Sequence, residues 1–581
     1  MRYTRLRHMQ ELLTRFAAVC LVAIAAQAAW ADSCLVAAPP VPTPAEQAFL
    51  AADYDQAAAL FRAGLATEPN DPRLTAGLVQ VLLHQQKADE AATIVNAAAT
   101  AKPGSAVLLA AKGEVQYRQG FPWDAARTFV DAGKADPCLA RVHLDYARTA
   151  RLNSAYATAR SEIETAHKLD PYDPDIHGEW IATLSPREWV AELEKYLASR
   201  NGKDAEEQRH MQQLLDHLKK TLEEPHKPCR LASTTASTEI PFAQLMYDVR
   251  HIRAFGLDVK LNDHRAKLEI DTGAGGLVVS RSVAQHAGLK SFSEADVGGI
   301  GDQGKKTGYV AFADSIQIGN LEFHDCAVTV LDNSRMMDID GLIGMDVFSK
   351  FLVTLNYPDR KLSLSPLPVR PGEAPIAPSL GTSDEDDAQK TAPASTVQAP
   401  GTAVSPAGSP SGTQAESPPA APKAPAARGP FNRYIAPEMK DYTPVYRVGH
   451  ALILPVALNQ SKLKLFILDT GAWATSISPN SAREVTKVHS NDRDHVRGLA
   501  GSVDQVYSAD NITFAFAKVS QTIRDVPSFD TSKVSKDEGI EISGFLGART
   551  LELTTIHIDY RDGLVKFDYD PKKVRQEHPM Y

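Results

Sequence analysis

Small and large apolar residues alternate along the first third of the chain with a period of 34. Ala57, Ala91, Ala125 and Ala159 hold one phase of it. Four positions on stand Phe61, Val95, Phe129 and Ile163, and three further on Gly64, Ala98, Ala132 and Ala166. Spacings of three and four put these side chains on one helix face. Small residues let two helices approach, and the large ones fill the groove between them. Pro69, Pro103, Pro137 and Pro171 share the period. Proline cannot continue a helix interior, so each closes a helix pair. The pattern predicts an all-α array of helix pairs over residues 44–222, with the first helix of the first pair missing. Segments 174–184 and 204–222 read as further helices that cap the array.

After about residue 240 the apolar period becomes two. Stretches 256–261, 267–270, 277–280 and 309–318 predict strands. One of them runs into Asp271-Thr272-Gly273-Ala274. A second apolar stretch, Leu465 to Leu468, runs into Asp469-Thr470-Gly471-Ala472. Each copy has a matching downstream element. Leu342-Ile343-Gly344 follows the first acid, and Phe545-Leu546-Gly547 follows the second. Each then has an apolar strand and a tight turn, ending in Asn356-Tyr357-Pro358-Asp359-Arg360 and Asp559-Tyr560-Arg561-Asp562-Gly563. The halves therefore share order and spacing as well as a tripeptide.

The 34-residue unit resembles the tetratricopeptide repeat, a helix–turn–helix module. Leu78 and Gly113 fit its first helix, whereas Gln116 and Ala150 depart from it. The duplicated constellation resembles the aspartic proteases, in particular the compact retroviral (retropepsin-like) type. The resemblance implies a multidomain chain. A helical repeat domain precedes two all-β protease-like domains, at residues 239–367 and 434–569.

It also implies a chemistry. Two carboxylates a few ångströms apart share one proton, because their repulsion splits the titration. One then activates a water while the other protonates the peptide carbonyl. One fold unit supplies one acid, so two units must face each other. The resemblance makes Asp271 and Asp469 that catalytic dyad. Thr272 and Thr470 would lock the two loops together. Gly273 and Gly471 would allow the turn and bring N–H groups to the carboxylates. Leu342, Ile343, Gly344, Phe545, Leu546 and Gly547 would pack beneath the loops. Such enzymes cover the substrate with a glycine-rich hairpin flap. Gly298, Gly299 and Gly301 in one half, and Gly498 and Gly501 in the other, suit that role. The family position after Asp-Thr-Gly-Ala is small and hydroxylated, but here it holds Gly275 or Trp473. The tryptophan lines a substrate pocket or marks a half that has drifted from catalysis.

Gly299-Ile300-Gly301-Asp302-Gln303-Gly304 matches a dinucleotide fingerprint in spacing only. No helical pattern follows it, and no βαβ unit surrounds it. Metal spacing of the His-Glu-x-x-His kind, a nucleophile elbow and a phosphate loop are missing, so neither a cofactor nor a metal is expected.

Composition adds three points. Net charge is −9, which argues against a nucleic-acid partner. Of the 37 prolines, 14 lie between Pro366 and Pro430. Residues 368–430 thus predict a disordered linker with one acidic run, Asp384 to Asp387. Its reach of about 45 Å as a flexible coil permits the halves to pair or to stand apart. Finally, Arg2, Arg5, Arg7 and Arg15 precede an apolar run that ends in Ala29-Trp30-Ala31. This predicts a signal peptide over residues 1–31 and export, to the periplasm or outside, with no stable membrane span after cleavage. Cleavage leaves Cys34, Cys138, Cys229 and Cys326, an even number whose spacing specifies no pairing.

The sequence supports an exported aspartic-type peptidase whose repeats bind protein or peptide. A second reading is a non-enzymatic scaffold built from drifted protease-like domains. The repeat array is either a spacer or a concave binding surface.

Overall fold

The computed structural model describes residues 34, 41–69, 71–199, 205–246, 252–299, 306–331, 339–371, 378–381, 431–491, 496–498, 501–503 and 505–569. The expected signal peptide and most of the expected linker lie outside the described residues.

Helices form where the 34-residue pattern places them. They are α1 (Pro44–Leu50), α2 (Tyr54–Thr67), α3 (Pro72–His84), α4 (Ala88–Ala101), α5 (Ala106–Arg118) and α6 (Pro122–Ala135). They continue as α7 (Ala140–Leu152), α8 (Tyr156–Leu169), α9 (Pro174–Ile181), α10 (Pro186–Ser199) and α11 (Ala205–Glu223). The period-bearing residues Ala57, Ala91, Ala125, Phe61, Val95, Phe129 and Ile163 are all buried. A Cβ built on Gly77 would stand 2.5 Å from the Phe61 ring, so the glycine is what lets that ring in. Helix starts are capped by short acids: Asp71 Oδ1 accepts from Arg73 N at 2.8 Å and Leu74 N at 2.9 Å. The first pair retains its first helix after all. Thr43 and Glu46 form a capping box that starts α1 after a segment with no apolar period of its own.

The last helix does more than cap the array. His217 of α11 lies 2.8 Å from the Ser293 hydroxyl, and Lys220 donates to the Phe292 carbonyl. Both partners belong to the first β unit. Among the described residues no helix is long and apolar enough to cross a membrane.

The first β unit contains β1 (Ile252–Leu261), β2 (His264–Asp271), β3 (Leu277–Ser280), β4 (Ser291–Val297), β5 (Lys306–Ile318), β6 (Leu321–Leu331), β7 (Gly341–Gly344), β8 (Phe351–Asn356) and β9 (Lys361–Pro366). The second repeats the scheme with β10 (Ala451–Leu458), β11 (Lys462–Leu468), β12 (Ser476–Ile477), β13 (Gly544–Leu546), β14 (Thr554–Asp559) and β15 (Leu564–Tyr569). The chain is thus a helical repeat region followed by two β-rich, protease-like units.

The two units meet in one six-stranded sheet. β8 of the first pairs antiparallel with β14 of the second, Val353 opposite Ile558 and Leu355 opposite Ile556. Those four side chains are fully buried, and one apolar core runs through both units. Both ends of the expected linker come to a single buried acid. Asp562 accepts from Arg370 at 2.7 Å and from the Tyr434 backbone N–H at 2.7 Å. Part of the span expected to be a disordered linker also packs on the first unit: Leu380 is buried in the core, and the Gly381 N–H donates to the Val347 carbonyl at 3.1 Å.

Two disulfides, Cys34–Cys138 and Cys229–Cys326, supply the pairing that spacing left open. The second closes a loop with a sequence separation of 97. Replacing Cys229 and Cys326 by Ala is expected to cost about 2–5 kcal/mol, as for native disulfides of long loops. Urea unfolding of the pure protein, with and without reductant, checks this.

Candidate active site

Two β-strands end where an acid begins. β2 carries Asp271 at its last position, and Asp469 directly follows β11. Each strand lies between an antiparallel neighbour and a parallel one, and each is buried over the residues just before its acid. The parallel neighbours are the downstream motifs. β7 sets Ile343 opposite Ile270 and Gly344 opposite Asp271. β13 sets Phe545 opposite Ile467 and Leu546 opposite Leu468, and the Asp469 N–H donates to the Leu546 carbonyl at 3.1 Å. Leu342 and Gly547 flank these positions. Gly341 and Gly544 stand where added side chains would strike backbone or neighbouring side chains.

The loops after the acids are joined reciprocally. The Thr272 N–H donates to Thr470 Oγ1 at 3.0 Å, and the Thr470 N–H donates to Thr272 Oγ1 at 3.0 Å. Each hydroxyl then donates onward: Thr272 to the Leu468 carbonyl at 2.7 Å, Thr470 to the Ile270 carbonyl at 3.1 Å. Both threonines are buried, so four hydrogen bonds replace solvent for four polar groups.

This lock sets the acids against each other. A Cβ on Gly273 would lie 2.7 Å from the Asp469 carboxyl carbon, and one on Gly471 would overlap the Asp271 carboxyl. Only glycine in each loop leaves room for the opposing acid. Asp271 accepts from the Gly273 N–H at 2.8 Å, Asp469 from the Ala472 N–H at 2.9 Å, and the two carboxyls hydrogen-bond to each other.

Their titrations are pushed apart. Burial, then the charge on Asp271, holds Asp469 well above the usual carboxylate range. Burial also raises Asp271. The Gly273 N–H, the bond to Asp469 and nearby His450 all act to lower it. The pair therefore holds a proton above the usual carboxylate range, shared between the two carboxyls.

Several neighbours have no counterpart in the motif reading. His450 Nε2 donates to the Gly273 carbonyl at 3.1 Å, crossing from the second unit to the first loop. A Cβ on Gly275 would come within 3.0 Å of the His450 ring. Gly275 is thus a consequence of that histidine. Buried Asp346 accepts twice from the Gly276 N–H, at 2.9 and 3.1 Å. In the other unit Thr475 does the corresponding work, accepting from the Gly547 N–H at 3.0 Å. Tyr357 lies buried beside the lock, where burial raises its phenol. Tyr560 holds the matching place in the second unit, with its ring fully buried. The paired tyrosines were visible as one repeated letter in two matching turns. Asp346 stands two positions past the downstream Leu342-Ile343-Gly344. His450 had no such signal, because it faces the other copy.

Trp473 is 53% exposed, and its carbonyl accepts from the Arg549 N–H at 3.1 Å. Its ring therefore lies outside the packing around the acids.

The glycine-rich segments flank hairpins. β4 pairs with β5 up to Val297 opposite Lys306, with Gly298 and Gly299 following at the tip. Gly301 lies outside the described residues. In the second unit Gly498 pairs with Gly501, giving a much shorter hairpin.

Residues 257–347 match the family model described as Aspartyl protease, and residues 48–115 match Tetratricopeptide repeat. The first matched segment contains Asp271; Asp469 lies outside both. No curated protein matches the chain. Among solved structures, an aspartic proteinase from Irpex lacteus aligns at 10% identity over 59% of this chain and 100% of its own, with a TM-score of 0.32. A retropepsin-like aspartic protease from Rickettsia conorii aligns at 21% identity over 23% of this chain and 94% of its own, TM-score 0.17. A tetratricopeptide-repeat protein from Thermus thermophilus aligns at 19% identity over 30% of this chain and 94% of its own, TM-score 0.24.

Proposed function

We propose that this chain is an exported aspartic-type peptidase with one active site, formed within a single polypeptide by Asp271 and Asp469. The observation that carries the reading is the reciprocal Thr272–Thr470 bonding, which holds two acids of unlike proton affinity face to face. In this reading the Asp271 carboxylate takes a proton from water as the water oxygen attacks the peptide carbonyl. The Asp469 carboxyl gives its proton to the carbonyl oxygen. Return of a proton to the amide nitrogen lets the C–N bond break. The hairpin tips at Gly298 and Gly299, and at Gly498 and Gly501, cover the substrate. Thr272, Gly273, Thr470 and Gly471 position the acids. The two disulfides are compatible with an oxidising compartment.

Hydrolysis needs the pair to hold one proton. Activity is lost in acid as Asp271 takes a second proton, at a pH raised by burial above the usual value near 4. It is lost in base as Asp469 gives up its proton, at a pH raised further. The expected profile of kcat/KM is a bell displaced upward from the ordinary carboxylate range, measured on a denatured protein substrate. Activity that stays flat across acid and neutral pH would remove the shared proton from the mechanism.

A further inference from the structure

His450 occupies the tip of a tight hairpin. Tyr446–Val448 pairs antiparallel with β10, and Val448 stands opposite Ala451, so Gly449 and His450 make the whole turn. Gly449 supplies the positive φ, +51°, that a two-residue hairpin turn needs at its first position. Buried Arg447 fixes the turn from behind, donating to the Gly449 carbonyl at 3.0 Å and to the Tyr560 carbonyl.

The two acid-bearing loops are held in different ways. The second is pinned by the backbone of its own unit. Its Ala472 carbonyl accepts from the Ala548 N–H at 2.7 Å, and its Trp473 carbonyl from the Arg549 N–H at 3.1 Å. In the first loop the Gly273 carbonyl is met instead by a side chain of the opposite unit. A carbonyl only accepts, so His450 Nε2 carries the proton in that bond of 3.1 Å. The Gly273 carbonyl shares its peptide unit with the Ala274 N–H. A donor at one end of a peptide strengthens the N–H at the other. Burial raises the Asp271 carboxyl, and the Gly273 N–H, Asp469, His450 and the Ala274 N–H act against it. The ring fits there because residue 275 is glycine: a Cβ would stand 3.0 Å from the imidazole Cγ and Nδ1.

We propose that His450 is a positioning residue for Asp271, holding the first loop from the opposite unit through the Gly273 carbonyl. It joins the two halves at the acids by a bond separate from the threonine lock, and it touches no reacting atom. Its effect on turnover rests on the proteolytic reading; its effect on the Asp271 carboxyl does not. Asp271, Asp346 and Glu538 face the ring, with Arg447 and Tyr560 beyond Asp346. Asp469, Tyr357 and Tyr560 face Asp271 from its other sides. Loss of the His450 bond therefore removes a support of the Asp271 anion, and Asp271 should titrate at a higher pH.

Two substitutions separate the bond from the bulk. Glutamine sets its amide nitrogen where Nε2 stands; asparagine, one carbon shorter, reaches only as far as Nδ1. kcat and KM are measured on a denatured protein substrate. Carbon-13 spectra of the aspartate carboxyls follow titration from acid to neutral pH, with Asp271 identified by the signal missing in Asp271→Asn. His450→Asn should lower kcat at least about tenfold with KM nearly unchanged, and should raise the Asp271 midpoint. His450→Gln should recover most of both. Equal kcat in the two variants overturns the positioning role. Gly275→Ala, which presses a methyl on the ring, gives a second route. It should lower kcat in the unmodified chain and much less beside His450→Ala; additive losses overturn the role as well. If the unmodified protein cleaves nothing, the proteolytic reading falls, and the carboxyl titration decides alone. An Asp271 midpoint unmoved by His450→Asn then overturns this proposal.

Discussion

Asp469→Asn should abolish turnover and leave the protein as stable as before, or more so, at neutral pH. Loss of a positioned acid–base group lowers rates by about 10²–10⁴-fold, and here one carboxyl serves both acid and base steps. The stability half of the expectation follows from linkage. The Asp469 pKa is raised in the folded state, by burial first and by the Asp271 charge second. The native protein thus holds a proton that the unfolded chain releases near pH 4. The resulting stability is fully present below that unfolded value and is lost as pH rises through the raised folded one. Asparagine cannot ionise, so its stability should lack this decline. Measuring kcat/KM and thermal midpoint from acid to mildly alkaline pH, for both proteins, tests both halves. Asp271→Asn should be equally inactive, because a pair needs both members. A single variant with unmodified activity would show that the two acids do not act together.

Thr272→Val should separate the two loops. Valine keeps the shape but removes the acceptor for the Thr470 N–H and the donor to the Leu468 carbonyl. Both orphaned groups are backbone at a buried site. Each unsatisfied group costs about 1–3 kcal/mol. The catalytic loss should be larger than the stability loss implies, since a misplacement of about 1 Å can cost about 10²-fold in rate. Thr272→Ser, which keeps the hydroxyl, should recover most of both. Urea unfolding and kcat on the same samples separate the two effects. If the valine variant keeps the activity of the unmodified protein, the threonine lock does not hold the acids.

Much of this could be read from the chain because its information is local. The helical array follows from a strict period. Ala57 and Phe61, and their equivalents 34 residues apart, meet only if helices pack at fixed spacing. The acids were visible because the same strand, turn and glycine motif occurs twice, and one strand-end loop needs the same residue types each time. His450 was not readable in this way. It sits in a plain turn, and its meaning lies in the opposing loop, 177 positions away along the chain.

The repeated letters alone determined the helix pairs, the two strand-end acids and the glycines beside them, because each depends on contacts within a short stretch or on a duplicated stretch. Three things were decided only by the tertiary structure. One is that the halves join within a single chain, through β8 against β14 and the threonine lock. Another is that the pair keeps a proton above the usual carboxylate range, since burial and neighbouring charge set that and composition does not. The last is that the repeat array packs on the second unit, where Arg118 donates to the Gly539 carbonyl and its own carbonyl accepts from the Glu541 N–H. Contacts between distant segments exist only once the chain is folded, and no period along the sequence encodes them.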